Sequence, residues 1–162
     1  MNDAHLCGAH CFVFFWQGRF LLLPYICKKK MKNYSVQIDY TALCESVFRI
    51  TANAAKERGD ALHVATEEDK DLIEGFFLAA MPALRMAFGK YLTGGGGISY
   101  SMPENWNEDE QTVGYCCSEY LINAALAKWF EMSGVANACM NAARGAIEAL
   151  VLCLNKRKKP IR

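Results

Sequence analysis

Residues 94–97 are four consecutive glycines between two helical patterns, the setting in which a phosphate-binding loop would be sought. That chemistry needs Gly-Lys-Ser/Thr opening a helix, so that backbone amides, an ammonium and a hydroxyl converge on phosphate. Here the glycines lead into Ile98, Ser99, Tyr100, Ser101 and Met102, which alternate as a strand does, and Pro103 ends the run. No lysine occurs between Lys90 and Lys128. The pattern argues against phosphate chemistry.

Other candidates for chemistry also lack partners. His5, Cys7, His10 and Cys11 are zinc-ligand types, but their spacing is too cramped for separated ligand pairs and no second pair follows. Beyond residue 30 the one histidine is His63, with no nucleophile beside it, and it reads as an ordinary loop residue. Cys116 and Cys117 are adjacent, which is not the spacing of a Cys-x-x-Cys redox pair. Glu67, Glu68, Asp69, Asp71 and Glu74 are nearly consecutive, so on a helix they spread around the axis instead of converging on a cation. We expect no enzyme activity, no catalytic residues, no metal and no cofactor.

Composition bounds the alternatives. The chain has 162 residues, 52% hydrophobic and 22% charged, which suits one globular domain. The net charge of +1 conceals an asymmetry. Residues 31–155 hold 9 Lys+Arg against 16 Asp+Glu, whereas the last seven, KRKKPIR, hold five positive charges and no negative one. Three of the eight cysteines fall within helical patterns, so free buried thiols in a reducing compartment are expected over a disulfide framework.

Residues 1–30 differ from the remainder, with two of the three histidines and no periodicity. Three lysines follow the apolar run instead of preceding it, unlike a signal peptide, and the run is broken at Gln17-Gly18-Arg19, so no membrane anchor is expected. Lys28-Lys29-Lys30 before Met31 would be encoded by purine-rich codons, as a translated ribosome-binding site would be. Residues 1–30 are therefore read as an N-terminal extension outside the core, and 31–155 as the folded domain.

Within that domain, alternation at Val36, Ile38 and Tyr40 predicts a strand over 35–40. A helix over 40–58 should bury Leu43, Val47, Ile50 and Ala54. Thr66 caps a second helix whose face at Ile73, Phe77, Ala80, Leu84, Ala87 and Tyr91, widened by Leu72, Phe76 and Phe88, predicts a largely buried element kinked at Pro82. A third helix is expected over 108–132, with Val113, Cys117, Tyr120, Leu121 and Ala124 inward. A fourth, over 136–155, should approach its neighbour closely through Ala138, Ala142 and Ala146, with Ile147, Leu150, Val151 and Leu154 supplying bulk. The fold class is mainly α, a four-helix bundle with a short β-ribbon or extended loop between helices 2 and 3. That ribbon either pairs with residues 35–40 of its own chain or projects to pair with another.

The strand-then-helix start, "ISYSMPENWNE", "YLINAALAKWFEMSG" and an alanine-rich helix ending "LNKRKKPIR" resemble small structural proteins of tailed phages and prophages. In particular they resemble the head–tail connector, or adaptor, proteins of Bacteroides-type phages. The resemblance implies a helical virion or assembly protein that forms a homo-oligomeric ring below a portal, in the virion or in the host bacterial cytoplasm during assembly. It implies contact through loops and tails, here Ile98, Tyr100, Met102 and Trp106 of the ribbon and Lys156, Arg157, Lys158, Lys159 and Arg162 of the basic C-terminal tail at 156–162. DNA is a further possible partner of that tail, whereas no small-molecule substrate is expected. The competing class is a small cytoplasmic helical-bundle binding protein or regulator that uses its basic tail on nucleic acid.

Overall fold

The computed structural model describes residues 30–58, 64–94, 97–131 and 134–159. In chain order the elements are β1 (Met31–Val36), α1 (Tyr40–Arg58), α2 (Lys70–Phe88), β2 (Ile98–Pro103), α3 (Glu110–Trp129) and α4 (Val135–Asn155). Among the described residues the chain is a mainly helical bundle of four helices with one two-stranded antiparallel sheet, β2 lying between α2 and α3 in sequence.

Asp39 decides where β1 gives way to helix. Its carboxylate Oδ1 accepts from the amide of Ala42 at 3.1 Å and its carbonyl accepts from Leu43, so it caps α1 and ends extended backbone before Tyr40. The strand predicted over 35–40 therefore lies earlier, at 31–36. It pairs with β2 in the register Met31↔Pro103 through Val36↔Ile98. The ribbon forms within the chain.

α2 is preceded by a 3-10 turn, Glu67–Asp69, in which Asp69 Oδ2 accepts from both the amide and the hydroxyl of Thr66. The helix runs unbroken through Pro82 and stops at Gly89, whose φ of 51° is a backbone state that other L-residues adopt at a cost. Asp109 caps α3 by accepting from the amide of Thr112 at 2.7 Å.

α3 is the hub. It packs most extensively on α4, then on α2 and α1, and so buries Val113, Cys116, Cys117, Leu121, Ala125 and Leu126 on several sides. Phe77, Leu84, Leu121 and Leu150 are all 0% exposed, as their helical spacing requires. Burying each such side chain contributes about 1.5–3 kcal/mol.

Three predicted faces are corrected. In α1, Thr51 faces inward and Ile50 outward, because the hydroxyl of Thr51 accepts from the amide of Ala65 at 3.1 Å and donates to the carbonyl of Phe48. In α4, Ala138 and Ala142 are exposed; the seam against α3 runs through Cys139, Ala143, Ile147, Leu150 and Leu154. Those larger side chains set the rotation of the helix. α2, expected to be largely buried, exposes Leu72, Leu78 and Met86, since its neighbours cover only one side of it.

Candidate functional site

The ribbon, the turn after it and the end of α4 meet at one corner of the bundle. Alternation along β2 sends Ile98, Tyr100 and Met102 inward, where each is at most 1% exposed, and leaves Ser99 and Ser101 half-buried on the other face. Tyr100 stacks on Tyr34 with ring centroids 5.5 Å apart and lies 5.2 Å from Phe88. All four ribbon positions expected to make contacts with other subunits, Trp106 included, are thus core residues of their own chain.

Trp106, the fourth, is folded back under the ribbon by a turn in which its amide donates to the carbonyl of Pro103 at 2.8 Å. Its ring meets Tyr34 edge-on at 5.1 Å and Tyr100 at 6.2 Å. The indole Nε1 donates to the carbonyl of Cys153 at 2.8 Å, which ties the turn to the last turn of α4.

Beyond α4 the chain runs antiparallel to residues 105–107. The amide of Asn107 donates to the carbonyl of Lys156 at 3.2 Å, and the amide of Lys158 to the carbonyl of Asn105 at 2.8 Å. Lys156 forms a 2.7 Å ion pair with Glu108. Arg157 turns inward, its Nη2 donating to the hydroxyl of Tyr91 at 2.7 Å and its Nη1 to the carbonyls of Leu154 and Lys156. Tyr91 in turn donates to Oδ1 of Asn155 at 3.2 Å. Lys158 and Lys159 are exposed; Arg162 lies outside the described residues.

An open cleft of about 380 Å³ sits between ribbon and tail. Tyr34 and Trp106 form its apolar part, Lys32 and Lys158 its positive part, and Glu104, Glu108 and Asp109 its negative part. Charges of both signs side by side suit a polar contact surface. They do not converge on one reacting atom.

The glycine run has a different role from a phosphate loop. Arg85 of α2 donates from Nη1 to the carbonyl of Gly97 and from Nη2 to that of Gly94, both at 2.7 Å. The loop offers carbonyls to a cation here, whereas anion binding needs amides. A Cβ on Gly94 would lie 3.3 Å from Cβ of Ser99, so the close approach of the loop to β2 suits glycine.

The thiols are arranged for packing. Burial pushes Cys117 up to about 12, and burial with the adjoining Cys153 thiol pushes Cys116 up to about 11. Thiols held protonated are poor nucleophiles and poor metal ligands. Cys44, Cys116 and Cys117 are buried and free, and among the described residues no group of three His, Cys, Asp or Glu could hold a metal ion. His5, Cys7, His10, Cys11 and His63 lie outside the described residues.

Sequence reasoning passed over Tyr91 and Arg85 as polar anchors and grouped Arg157 with its basic neighbours. The sequence carries no local signal that separates an inward arginine from an outward lysine in a basic run. No known protein family, curated protein or solved structure matches the chain.

Proposed function

We propose that this protein is a non-catalytic assembly component, a phage or prophage virion protein of the head–tail connector type that works through protein–protein contacts. The observation that supports it is the corner built by Trp106, Glu108 and residues 156–158. Backbone bridging, an indole hydrogen bond and an ion pair there hold the start of the basic tail in a fixed position beside an acidic rim. A fixed tail presenting Lys158 in one cleft with Glu104 and Asp109, and followed by the exposed Lys159, is a surface that a second subunit can meet with complementary charge. Head-to-tail use of such unlike surfaces closes into a ring when the rotation permits.

Mass measurement by light scattering, with and without a portal-type partner, tests this reading. Assembly should weaken when Lys158 and Lys159 are both changed to glutamate, and should weaken in high salt, because exposed charges are screened over about 8–10 Å. Assembly unchanged by both treatments would remove the tail from the mechanism.

A second reading, a small regulator that touches nucleic acid, is favoured by the five cations among the last seven residues. Binding of duplex DNA would then weaken steeply with salt, with a slope that falls by about one per phosphate-contacting cation removed. Its signature is DNA binding by a monomeric protein.

A further inference from the structure

The fold brings lysines from the two ends of the described chain to one corner. The carbonyl of Lys30 accepts from the amide of Glu104 at 3.3 Å, and the amide of Lys158 donates to the carbonyl of the next residue, Asn105, at 2.8 Å. Lys32 and Lys158 line the same cleft, and Lys30, Lys32, Lys158 and Lys159 are all exposed. Among the described residues no salt bridge engages any of these four. The carboxylates beside them are mostly taken. Glu108 is paired with Lys156, Asp109 accepts from the amide of Thr112 and Glu110 from that of Ser35, which leaves Glu104. Away from this corner the balance reverses, since residues 31–155 hold 9 Lys+Arg against 16 Asp+Glu. A polyanion is repelled by the body and drawn to the corner.

The edge of β1 adds hydrogen-bond donors to these charges. Because Lys30 is bonded to Glu104, the alternation of an antiparallel ladder turns the amides of Met31, Asn33 and Ser35 away from β2. Pro103, which has no N–H to offer, stands opposite Met31 at such a position. The outward amide of Ser35 donates to Oε1 of Glu110 at 3.2 Å, so this edge already holds one anionic oxygen. The amides of Met31 and Asn33 have no partner among the described residues. Free backbone amides flanked by lysines are groups that the phosphate oxygens of a nucleic acid engage. Four ammonium groups distributed over two chain segments suit a line of phosphates better than a single ion.

We infer that Lys30, Lys32 and the free edge of β1 join Lys158 and Lys159 in one composite surface that binds the phosphate backbone of a nucleic acid. The inference rests on the nucleic-acid reading above and deepens it, because there the tail alone makes the contact. Half of the surface comes from the other end of the chain, and the turn at Glu104 and Asn105 holds the two halves together.

Fluorescence anisotropy of a labelled DNA duplex, titrated with the full-length protein at several salt concentrations, tests it. The logarithm of the binding constant should fall with the logarithm of salt with a slope of about −3 to −4, as four neutralised phosphates require. Lys30→Gln with Lys32→Gln should reduce the magnitude of that slope by about 2, and Lys158→Gln with Lys159→Gln by a similar amount. All four side chains are exposed, so these variants should melt at the wild-type temperature. Lys56→Gln with Lys128→Gln removes two exposed charges near the ends of α1 and α3 and should leave the slope unchanged. In 15N-labelled protein the amide signals of Met31 and Asn33 should shift when duplex is added, and those of Lys32 and Tyr34, which face β2, should move less. If the duplex binds but Lys30→Gln with Lys32→Gln changes the slope by less than about 0.5, the composite surface is overturned and the tail-only reading survives. No binding of the duplex even at low salt would overturn both. Equal losses in the Lys56 and Lys128 variant, or unmoved signals at Met31 and Asn33, would overturn the inference alone. Tighter binding of poly-glutamate than of duplex would assign the corner to an acidic protein surface instead.

Discussion

The guanidinium of Arg157 donates to the hydroxyl of Tyr91 at 2.7 Å, joining the first residues after α4 to the end of α2 across 66 positions of sequence. The same guanidinium lies 5.6 Å from the centre of the Tyr91 ring and also satisfies the carbonyls of Leu154 and Lys156. Arg157 therefore acts as a C-terminal clamp, unlike Lys158 and Lys159.

That difference is measurable. Arg157→Ala should lower stability by about 1.5–3 kcal/mol, the range for hydrogen bonds to a charged group. Lys158→Ala and Lys159→Ala should each stay within about 0.5 kcal/mol of wild type. Urea denaturation checks both, and equal effects at all three positions would dissolve the distinction.

Tyr100 offers a test with the opposite sign. Its ring is fully buried, and its hydroxyl has no hydrogen-bond partner among the described residues. Tyr100→Phe removes a buried polar group while leaving the ring on Tyr34 and Phe88. The expected change lies between neutral and a stabilisation of about 1 kcal/mol. A loss above that size would mean that the hydroxyl is satisfied in solution.

Thr51 is the converse case. Thr51→Val keeps the shape but leaves the amide of Ala65 without its acceptor in a buried setting. A cost of about 1–3 kcal/mol is expected, with faster amide exchange at Ala65. Wild-type exchange in the variant would show that this contact does not hold the residue 65 segment to α1.

Alkaline pH should destabilise the fold through its thiols. In the unfolded chain Cys116 and Cys117 ionise near 9, whereas in the folded protein they are held at about 11 and about 12. Their contribution is fully present below pH 9 and is lost as pH rises through the folded values, because the unfolded state then releases protons that the native state keeps. For Cys117 the full effect is on the order of 4 kcal/mol. Melting temperatures from pH 7 to 11 should fall above pH 9, and should fall less steeply in Cys117→Ala. Parallel curves would show that other groups carry the alkaline transition.

The sequence by itself determined which four stretches are helical, because local forces suffice for that, but not all their limits: the third helix, expected over 108–132, is Glu110–Trp129, and the face expected to reach Tyr91 stops at Phe88. Asp39 and Asp109 cap α1 and α3 through contacts within three residues, Asp69 accepts from the amide and hydroxyl of Thr66 in the turn before α2, and Gly89 ends α2 by its own backbone freedom. It also determined the inward positions Phe77, Leu84, Leu121 and Leu150, since a period of 3.6 places them on faces whatever the neighbours are. Tertiary structure decided what depends on neighbours. The rotation that buries Thr51 and exposes Ile50 follows from the amide of Ala65, and the choice of Ala143 over Ala142 follows from the seam with α3. The inward turn of Arg157 needs Tyr91, and the uncovered face of α2 exists because α3 is the helix at the centre. A periodic pattern states which residues share a side of a helix; which sides find cover is fixed only when every element competes for the same core.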